Sequence, residues 1–168
     1  MISKKHFDYT VYIVECIIGV CIGLTIYKIF PVVGGWCLFS IVLVLTPDRK
    51  DAISIAINRI KANVLGAAIG LILYYFSPIN IAMICGGITV GMVCCEFLSL
   101  QSATRATTVA ILIITTHEPG PNFWNIAMER AGGVIIGCLI GVALTFLFHL
   151  TVIHHSDKLY SKLIKSKS

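Results

Sequence analysis

Long apolar stretches, separated by short polar turns, account for most of the chain. In order, they cover about residues 9–29, 31–45, 51–77, 79–97, 104–116 and 125–152. A hydrocarbon core about 30 Å thick needs roughly 20 apolar residues of helix to cross it. The pattern therefore predicts an all-α membrane protein whose six transmembrane helices form one bundle.

Composition places these stretches in lipid rather than in the core of a soluble domain. The chain is 57% hydrophobic and 12% charged, and its mean hydropathy is +0.91. An ordinary globular domain is about 45–50% apolar and about 25% charged. The seven cysteines lie within apolar stretches and form no CxxC pair, which indicates packing residues rather than disulfides or a metal site. Motifs for hydrolases, metalloproteases and phosphate loops are absent from the sequence, so we expect no enzyme activity and no cofactor.

Positive charges predict the orientation of the helices. The net charge is +5, and basic residues cluster at Lys4–Lys5, at Arg49–Lys50, at Arg105 and in the last fifteen residues. Cytoplasmic loops carry an excess of lysine and arginine, so both termini are predicted to lie in the cytoplasm. Basic clusters at helix ends indicate anionic headgroups and argue against nucleic acid as a partner. Aromatic residues, Trp36 among them, collect at the predicted outer ends.

The predicted domain organisation follows from this topology. Residues 1–153 form a six-helix transmembrane domain, and residues 154–168 form a basic cytoplasmic tail. We expect the protein to be integral to a bilayer, namely the inner (plasma) membrane of a bacterium.

Glycine recurs with a spacing of four residues in four of the six stretches. The motifs are Gly19-x3-Gly23, Gly66-x3-Gly70, Gly87-x3-Gly91 and Gly133-x3-Gly137-x3-Gly141. Glycines spaced in this way share one face of a helix, and in lipid such a face lets two backbones approach closely. Gly66, Gly70, Gly137 and Gly141 are therefore predicted to pack helices together.

The chain contains an internal repeat. The pattern I-A-x2-R-x6-G-x2-I-G-x2-L begins at Ile55 and again at Ile126, and its arginines are Arg59 and Arg130. Three predicted helices belong to each copy, so repeat one covers about 9–77 and repeat two about 79–152. An odd number of helices per copy inverts the second copy in the membrane. Because inverted repeats place the pathway of many transporters at their interface, we predict two inverted three-helix repeats around such a pathway.

The motifs Arg59-x6-Gly66-x3-Gly70 and Arg130-x6-Gly137-x3-Gly141 resemble the signature of the fusaric acid resistance and aromatic acid exporter family. Trp36 near the start of the second helix and Pro47 in the following turn fit the same family, whereas Ala62-Asn63 departs from its pattern. The resemblance covers about residues 9–150, and the family more distantly resembles the plant aluminium-activated malate channels. The resemblance implies an exporter of small organic carboxylates, aromatic ones in particular. The malate channels imply a homodimer around an anion pathway.

An ionised group near the bilayer centre costs about 2.5–3.5 kcal/mol, so an arginine inside an apolar stretch needs a specific role. Lining such a pathway is one such role. Arg59 and Arg130 either hold carboxylates with paired hydrogen bonds or extend to the headgroups, and the sequence leaves both readings open. Arg105 lies in a polar segment with Thr104 and Thr108. This segment either lines a positive vestibule that concentrates anions or is a cytoplasmic turn.

Two acidic residues also lie within the stretches. Glu15 is in the middle of the first, and Glu96 is near the end of the fourth. We expect both to face the bundle and to pair with an arginine, and Glu96 to line the pathway beside Arg105. An acid that stays protonated in lipid can carry a proton, so Glu15 is a candidate for proton coupling.

These features and the family resemblance together predict a transporter or channel for anions that works as a homo-oligomer and exports small organic carboxylates. The alternative is a structural or accessory membrane subunit, whose glycine faces assemble with a partner and which carries no flux alone. The two differ in which residues matter. A transporter depends on its arginines, and an accessory subunit depends on its glycine faces.

Overall fold

The structure is a computed structural model that describes residues 4–47, 49–76, 80–100, 103–116, 123–148 and residue 150. These residues form six helices and no β-strand: α1 (Lys4–Ile29), α2 (Pro31–Val44), α3 (Arg49–Tyr75), α4 (Ile81–Phe97), α5 (Thr104–Thr116) and α6 (Phe123–Phe148). The basic tail predicted at 154–168 lies outside the described residues. The prediction of an all-α chain is confirmed for the part that is described.

Local signals in the sequence set the helix boundaries. Pro31 is the first residue of α2, a position where its fixed φ suits the helix and its missing N–H is not needed. Asn80 caps α4, because its side-chain oxygen accepts a hydrogen bond of 2.9 Å from the Met83 backbone N–H. Both signals agree with the predicted breaks between helices.

Three of the six helices are long and apolar enough to cross a membrane. These segments are Tyr9–Ile29 of α1, Asp51–Leu73 of α3 and Ala127–Phe148 of α6. Helices α2, α4 and α5 are apolar but contain 14, 17 and 13 residues. At a rise of about 1.5 Å per residue they extend only about 21, 26 and 20 Å, which is less than the roughly 30 Å of a hydrocarbon core. The bundle of six full spans therefore stays a prediction.

Large apolar side chains cover the outside of the helices. Phe39, Val64 and Leu139 lie well inside their helices and are 61%, 53% and 63% exposed. Several polar side chains are buried instead: Glu15, Ser40, Asn63, Thr107, Arg130 and Thr145. Apolar surface in contact with water costs about 25 cal/mol per Å². Lipid is therefore the solvent that suits this outer surface.

Helix α2 pairs extensively with α6, and α3 pairs extensively with α5, while α1 makes an extensive contact with α2 as well. Helices α3 and α6 also pack against each other and thereby join the two pairs. On the outside, α1 packs against α2 and α6, and α4 packs against α5 and α3.

The glycines of α3 form its contact with α5. A Cβ atom added at Gly66 would lie 2.5 Å from the Ala110 Cβ, and one added at Gly70 would lie 2.9 Å from the Ile114 side chain. Helix α5 is held there by a hydrogen bond as well, since the buried Thr107 hydroxyl donates to the Ala62 carbonyl oxygen at 3.2 Å. Only a residue without a Cβ permits this approach of the two backbones.

The glycines of α6 form the corresponding contact with α2. A Cβ atom at Gly137 would overlap the backbone carbonyl oxygen of Cys37, and one at Gly141 would lie 3.1 Å from the Val44 Cβ. Gly137 thus lies directly on the backbone of α2, with no side chain between the two helices.

Glu15 on α1 is buried against α6. Its side chain is 4% exposed, and the Thr145 hydroxyl donates a hydrogen bond of 2.7 Å to its Oε1. The prediction that Glu15 faces the bundle is confirmed. The prediction that Glu15 pairs with an arginine is wrong among the described residues, because its contact on α6 is Thr145.

Glu96 differs from its prediction in another way. Its side chain is exposed, although we expected it to face the bundle. The preceding residue, Cys95, takes the inward position, where its Sγ lies 3.2 Å from the Thr107 hydroxyl. Neighbouring residues of a helix point in directions about 100° apart, so Glu96 is turned outward. The predicted pair of Glu96 with Arg105 stays a prediction.

The glycine contact predicts the effect of a single methyl group. We expect Gly137→Ala to lower the free energy of unfolding by about 1–3 kcal/mol, because overpacking forces the backbones of α2 and α6 apart. The apparent melting temperature of the detergent-solubilised protein, followed by size-exclusion chromatography after heating, measures this change.

Gly132→Ala is the matched control. It places the same methyl group on the same helix, where it would meet nothing within 4 Å. Its melting temperature should equal that of the wild type or exceed it, since alanine favours a helix over glycine by about 0.5–1 kcal/mol. Equal melting temperatures for both variants would contradict the close packing of α6 on α2.

Candidate functional site

A cavity of about 560 Å³ lies between α2, α3, α5 and α6. All four helices contribute side chains to its lining: Trp36, Phe39, Ser40, Leu43, Ile55, Asn58, Arg59, Asn63, Ala103, Arg105, Ala106, Val109, Arg130 and Val134. The three arginines that the sequence singled out are thus brought together in one place.

Arg130 of α6 is the most deeply buried of these arginines, with 4% of its surface exposed. Its guanidinium carbon lies 4.3 Å from the centre of the Trp36 ring, in a cation–π contact. Its Nε donates a hydrogen bond of 3.2 Å to the Asn63 Oδ1. Its Nη1 is buried and has no hydrogen-bond partner among the described residues. Arg130 is therefore fixed in position by two contacts and keeps one donor free.

Arg59 of α3 is held in a similar way. Its Nη2 donates to the Ser40 hydroxyl at 3.4 Å, and the Cys138 thiol lies close to its guanidinium group. Its Nε is buried and without a partner among the described residues. A buried N–H without an acceptor is costly, by about 1–3 kcal/mol. Arg59 therefore keeps unused hydrogen-bonding capacity beside the cavity that it lines.

Asn63 connects the two arginines. It lies one helical turn after Arg59 and is 3% exposed. Its Nδ2 donates to the Arg59 carbonyl oxygen at 2.9 Å, which leaves its Oδ1 as the acceptor for Arg130. The amide of one half of the chain thus orients the arginine of the other half.

The cavity is strongly positive. None of the described residues that line it is acidic, and the charges of Arg59 and Arg130 are close enough to repel each other. Such repulsion is large where the dielectric constant is low. An anion between the two guanidinium groups would relieve the repulsion, and guanidinium groups hold anions through charge-assisted hydrogen bonds. The arrangement is suited to bind an anion.

The turn between α4 and α5 positions Arg105 at this cavity. Ser99 ends α4 with a φ of 55°, in the left-handed region. The Leu100 N–H donates to the Cys95 carbonyl oxygen at 2.8 Å, and the Ser99 N–H donates to the Glu96 carbonyl oxygen at 3.1 Å. These are the two hydrogen bonds of a Schellman motif. They reverse the chain so that Arg105, exposed and second in α5, reaches the edge of the cavity.

Other residues proposed from the sequence lie elsewhere. Thr104 and Thr108 are not among the residues that line the cavity, and the Thr108 hydroxyl donates to the Thr104 carbonyl oxygen at 3.1 Å within α5. Glu96 and Glu15 do not line the cavity either. The structure therefore groups the three arginines and separates these four residues from them.

Three residues of the site were missed by the sequence analysis. Asn63 carries a usable signal, because it is a polar residue one turn from an arginine in an apolar stretch. Trp36 was assigned to the aromatic residues at the outer ends and to the family pattern but not to the site, although it lies on Arg130. Neither Trp36 nor Ser40 has a local signal, since each acts through a helix far away in the sequence.

Comparison with known proteins agrees with these motifs. The family model described as fusaric acid resistance protein-like matches residues 32–144, a range that includes every residue lining the cavity. No curated protein and no solved structure matches the chain. The matched range is more than half of the chain, and the family is one of membrane transport and resistance proteins rather than of enzymes. The resemblance seen in the arginine–glycine motifs is thus confirmed, and the chain belongs to the fusaric acid resistance protein-like family.

Proposed function

We propose that the protein is a transporter or channel for anions and that it exports small organic carboxylates, aromatic ones among them. One observation carries the proposal. Arg59 and Arg130, which lie 71 residues apart in the sequence, both line one cavity that has no acidic residue among its described lining, and each keeps a buried N–H donor without a partner among the described residues. The membrane transport role of the family supports the same conclusion.

A carboxylate fits the donors and the walls of the cavity. Its two oxygens can each accept hydrogen bonds from a guanidinium group, and their planar pair matches the fork of guanidinium donors, a geometry that a spherical halide ion lacks. The apolar side chains of Phe39, Leu43 and Ile55 line the same space and favour a ligand with an apolar body. The volume, about 560 Å³, lies within the usual range of roughly 300–1,000 Å³ for small-molecule sites.

Arg105 has a separate role in this proposal. It is exposed at the edge of the cavity and adds a third positive charge there. Positive charge at the mouth of a cleft raises the local concentration of anions and speeds their association. With both termini in the cytoplasm of a bacterial cell, Arg105 would collect substrate from the cytoplasmic side of the inner membrane.

Two inverted repeats are part of the proposal, and the helix pairing supports them. If α1–α3 correspond to α4–α6, the pair α2–α6 corresponds to the pair α5–α3, and both pairs are joined through glycine faces. The packing of α1 on α2 likewise corresponds to that of α4 on α5. The cavity then lies at the interface of the repeats, where inverted-repeat transporters bind their substrates.

A homodimer is the assembly that we propose. Phe39, Leu43 and Val109 line the cavity and are nevertheless 61%, 54% and 47% exposed. The cavity of a single chain is therefore open at its side, toward the apolar surroundings. A second copy of the chain that packed over these residues would close the cavity against lipid and leave its polar end accessible.

Neutralising Arg105 is the direct test of anion transport. In proteoliposomes at low ionic strength, we expect Arg105→Ala to reduce the flux of benzoate by roughly tenfold or more, because the charge at the mouth is lost. The reduction should be smaller at high ionic strength, where salt screens that charge. Because Arg105 is exposed, the variant should fold like the wild type, which size-exclusion chromatography checks.

Lys61→Ala is the control for this test. Lys61 is exposed on α3 and does not line the cavity, so the variant changes the net charge equally without touching the site. Its flux should equal that of the wild type. If the wild type carries neither benzoate nor chloride under any gradient, the accessory-subunit alternative is favoured instead.

Glu15 is the residue that we propose for proton coupling, since its carboxyl group is buried with a single hydrogen bond from Thr145. A transmembrane proton gradient should accelerate benzoate transport by the wild type, and Glu15→Gln should abolish the acceleration while exchange without a gradient persists. Glu96→Gln removes an exposed acid and should keep the gradient response. An unchanged response in Glu15→Gln would assign Glu15 a purely structural role.

A further inference from the structure

The glycine contacts show which residues of α2 and α5 occupy corresponding places. Gly137 contacts Cys37 and Ser40 of α2, and its counterpart Gly66 contacts Thr107 and Ala110 of α5. Gly141 contacts Val44 of α2, and its counterpart Gly70 contacts Ile114 of α5. The glycines of α6 follow those of α3 by 71 positions, and the residues contacted on α5 follow those contacted on α2 by 70 positions. Each residue of α2 thus has a counterpart on α5 that is 70 positions later.

In four pairs of corresponding residues, both members line the cavity. Two pairs join α2 with α5, and two join α3 with α6. They are Trp36 with Ala106, Phe39 with Val109, Arg59 with Arg130, and Asn63 with Val134. The arginines are the same in both halves. In the other three pairs, the member from the first half is larger or more polar, and the member from the second half is small and apolar. The cavity is therefore symmetric in its charges and asymmetric in its walls.

The pair of Trp36 and Ala106 carries the largest difference. The Trp36 ring covers the guanidinium of Arg130, with 4.3 Å between the ring centre and the guanidinium carbon. The counterpart of Trp36, 70 positions later, is Ala106, which lines the same cavity as Arg59 and whose methyl group is too small to cover a guanidinium. The volume that an indole ring fills in one half of the site is therefore left to the cavity in the other half.

Val134 and Val109, the small members of the other two pairs, do not define the space beside Ala106. Val134 is 2% exposed and packs in a core cluster with Val44, Ala56 and Cys138. Val109 is 47% exposed and lies at the open side of the cavity. Ala106 is half-buried, between the core and the rim.

We propose that the space beside Ala106 is the subsite for the apolar body of the bound carboxylate, and that Ala106 sets the largest ligand that the site accepts. This inference rests on the proposed function, because it assumes that a carboxylate is held by Arg59 and Arg130. A planar ring in the subsite would lie on Arg59 as the Trp36 ring lies on Arg130, with the same attraction between a cation and an aromatic face. Ala106 is then a residue that determines specificity.

The test is to fill the subsite. Ala106→Trp restores the residue found at the corresponding position of α2. We expect it to weaken the binding of benzoate by about tenfold or more, the range by which the size of an apolar pocket discriminates ligands, and to leave the binding of formate within about threefold. Isothermal titration calorimetry on the detergent-solubilised protein measures both affinities, and counterflow in proteoliposomes measures transport.

Two further variants support the reading of this test. Ala68→Trp adds the same ring at an exposed position of α3 that does not line the cavity, and its affinities should match those of the wild type. Ala106→Gly enlarges the subsite and should improve the binding of 1-naphthoate relative to benzoate. If Ala106→Trp does not fold, this shift in preference tests the inference alone.

The outcomes separate the inference from the proposed function. Equal losses for formate and benzoate in Ala106→Trp, or no loss for either, would overturn the subsite while anion binding by the wild type still stands. An unchanged preference in Ala106→Gly would overturn it as well. If the wild type binds neither anion, the proposed function fails and the subsite fails with it.

Discussion

Direct contact between helix backbones at the glycine faces of α3 and α6 is the constraint on which the rest of this structure depends. Each face lies two turns after an arginine of the same helix, so the position of the glycines also fixes the position of Arg59 or Arg130. Side chains larger than hydrogen at Gly66 or Gly137 would separate the helix pairs. At Gly137 this would move α6 away from α2 and so separate Arg130 from the Trp36 ring. At Gly66 it would move α3, which carries Arg59, away from α5, which carries Arg105.

The buried charges are stabilised by neutral groups rather than by acids. A ring, an amide, a hydroxyl and a thiol surround Arg59 and Arg130, and one donor of each remains without a partner among the described residues. Neutral partners fix the geometry of a guanidinium group but leave its charge. A carboxylate in the lining would have neutralised the site and competed with any ligand. The site as built is suited to an anion that arrives and leaves.

Near-symmetry of the two halves gives the site its chemistry, and departures from symmetry give it a shape. In the inverted repeats that we propose, the two arginines occupy corresponding positions of the two halves. The largest difference between the halves is that between Trp36, which covers Arg130, and Ala106. Under the proposed function, halves that differ in this way keep a common charge pattern and distinguish ligands by size and apolar surface.

Several features followed from the sequence by itself: the all-α class, the bounds of helices such as α5, the glycine faces and the pair of arginine motifs that identified the family. Each of these is local or repeats at a fixed spacing. The tertiary structure alone decided which helices pair, and so brought Arg59, Arg105 and Arg130 to one cavity, set Trp36 on Arg130, and turned Glu96 outward. The physical reason is that a helix in lipid is apolar on all sides, so its periodicity does not show which face is buried. A glycine face indicates that a partner packs there, but small residues carry no information about which partner it is.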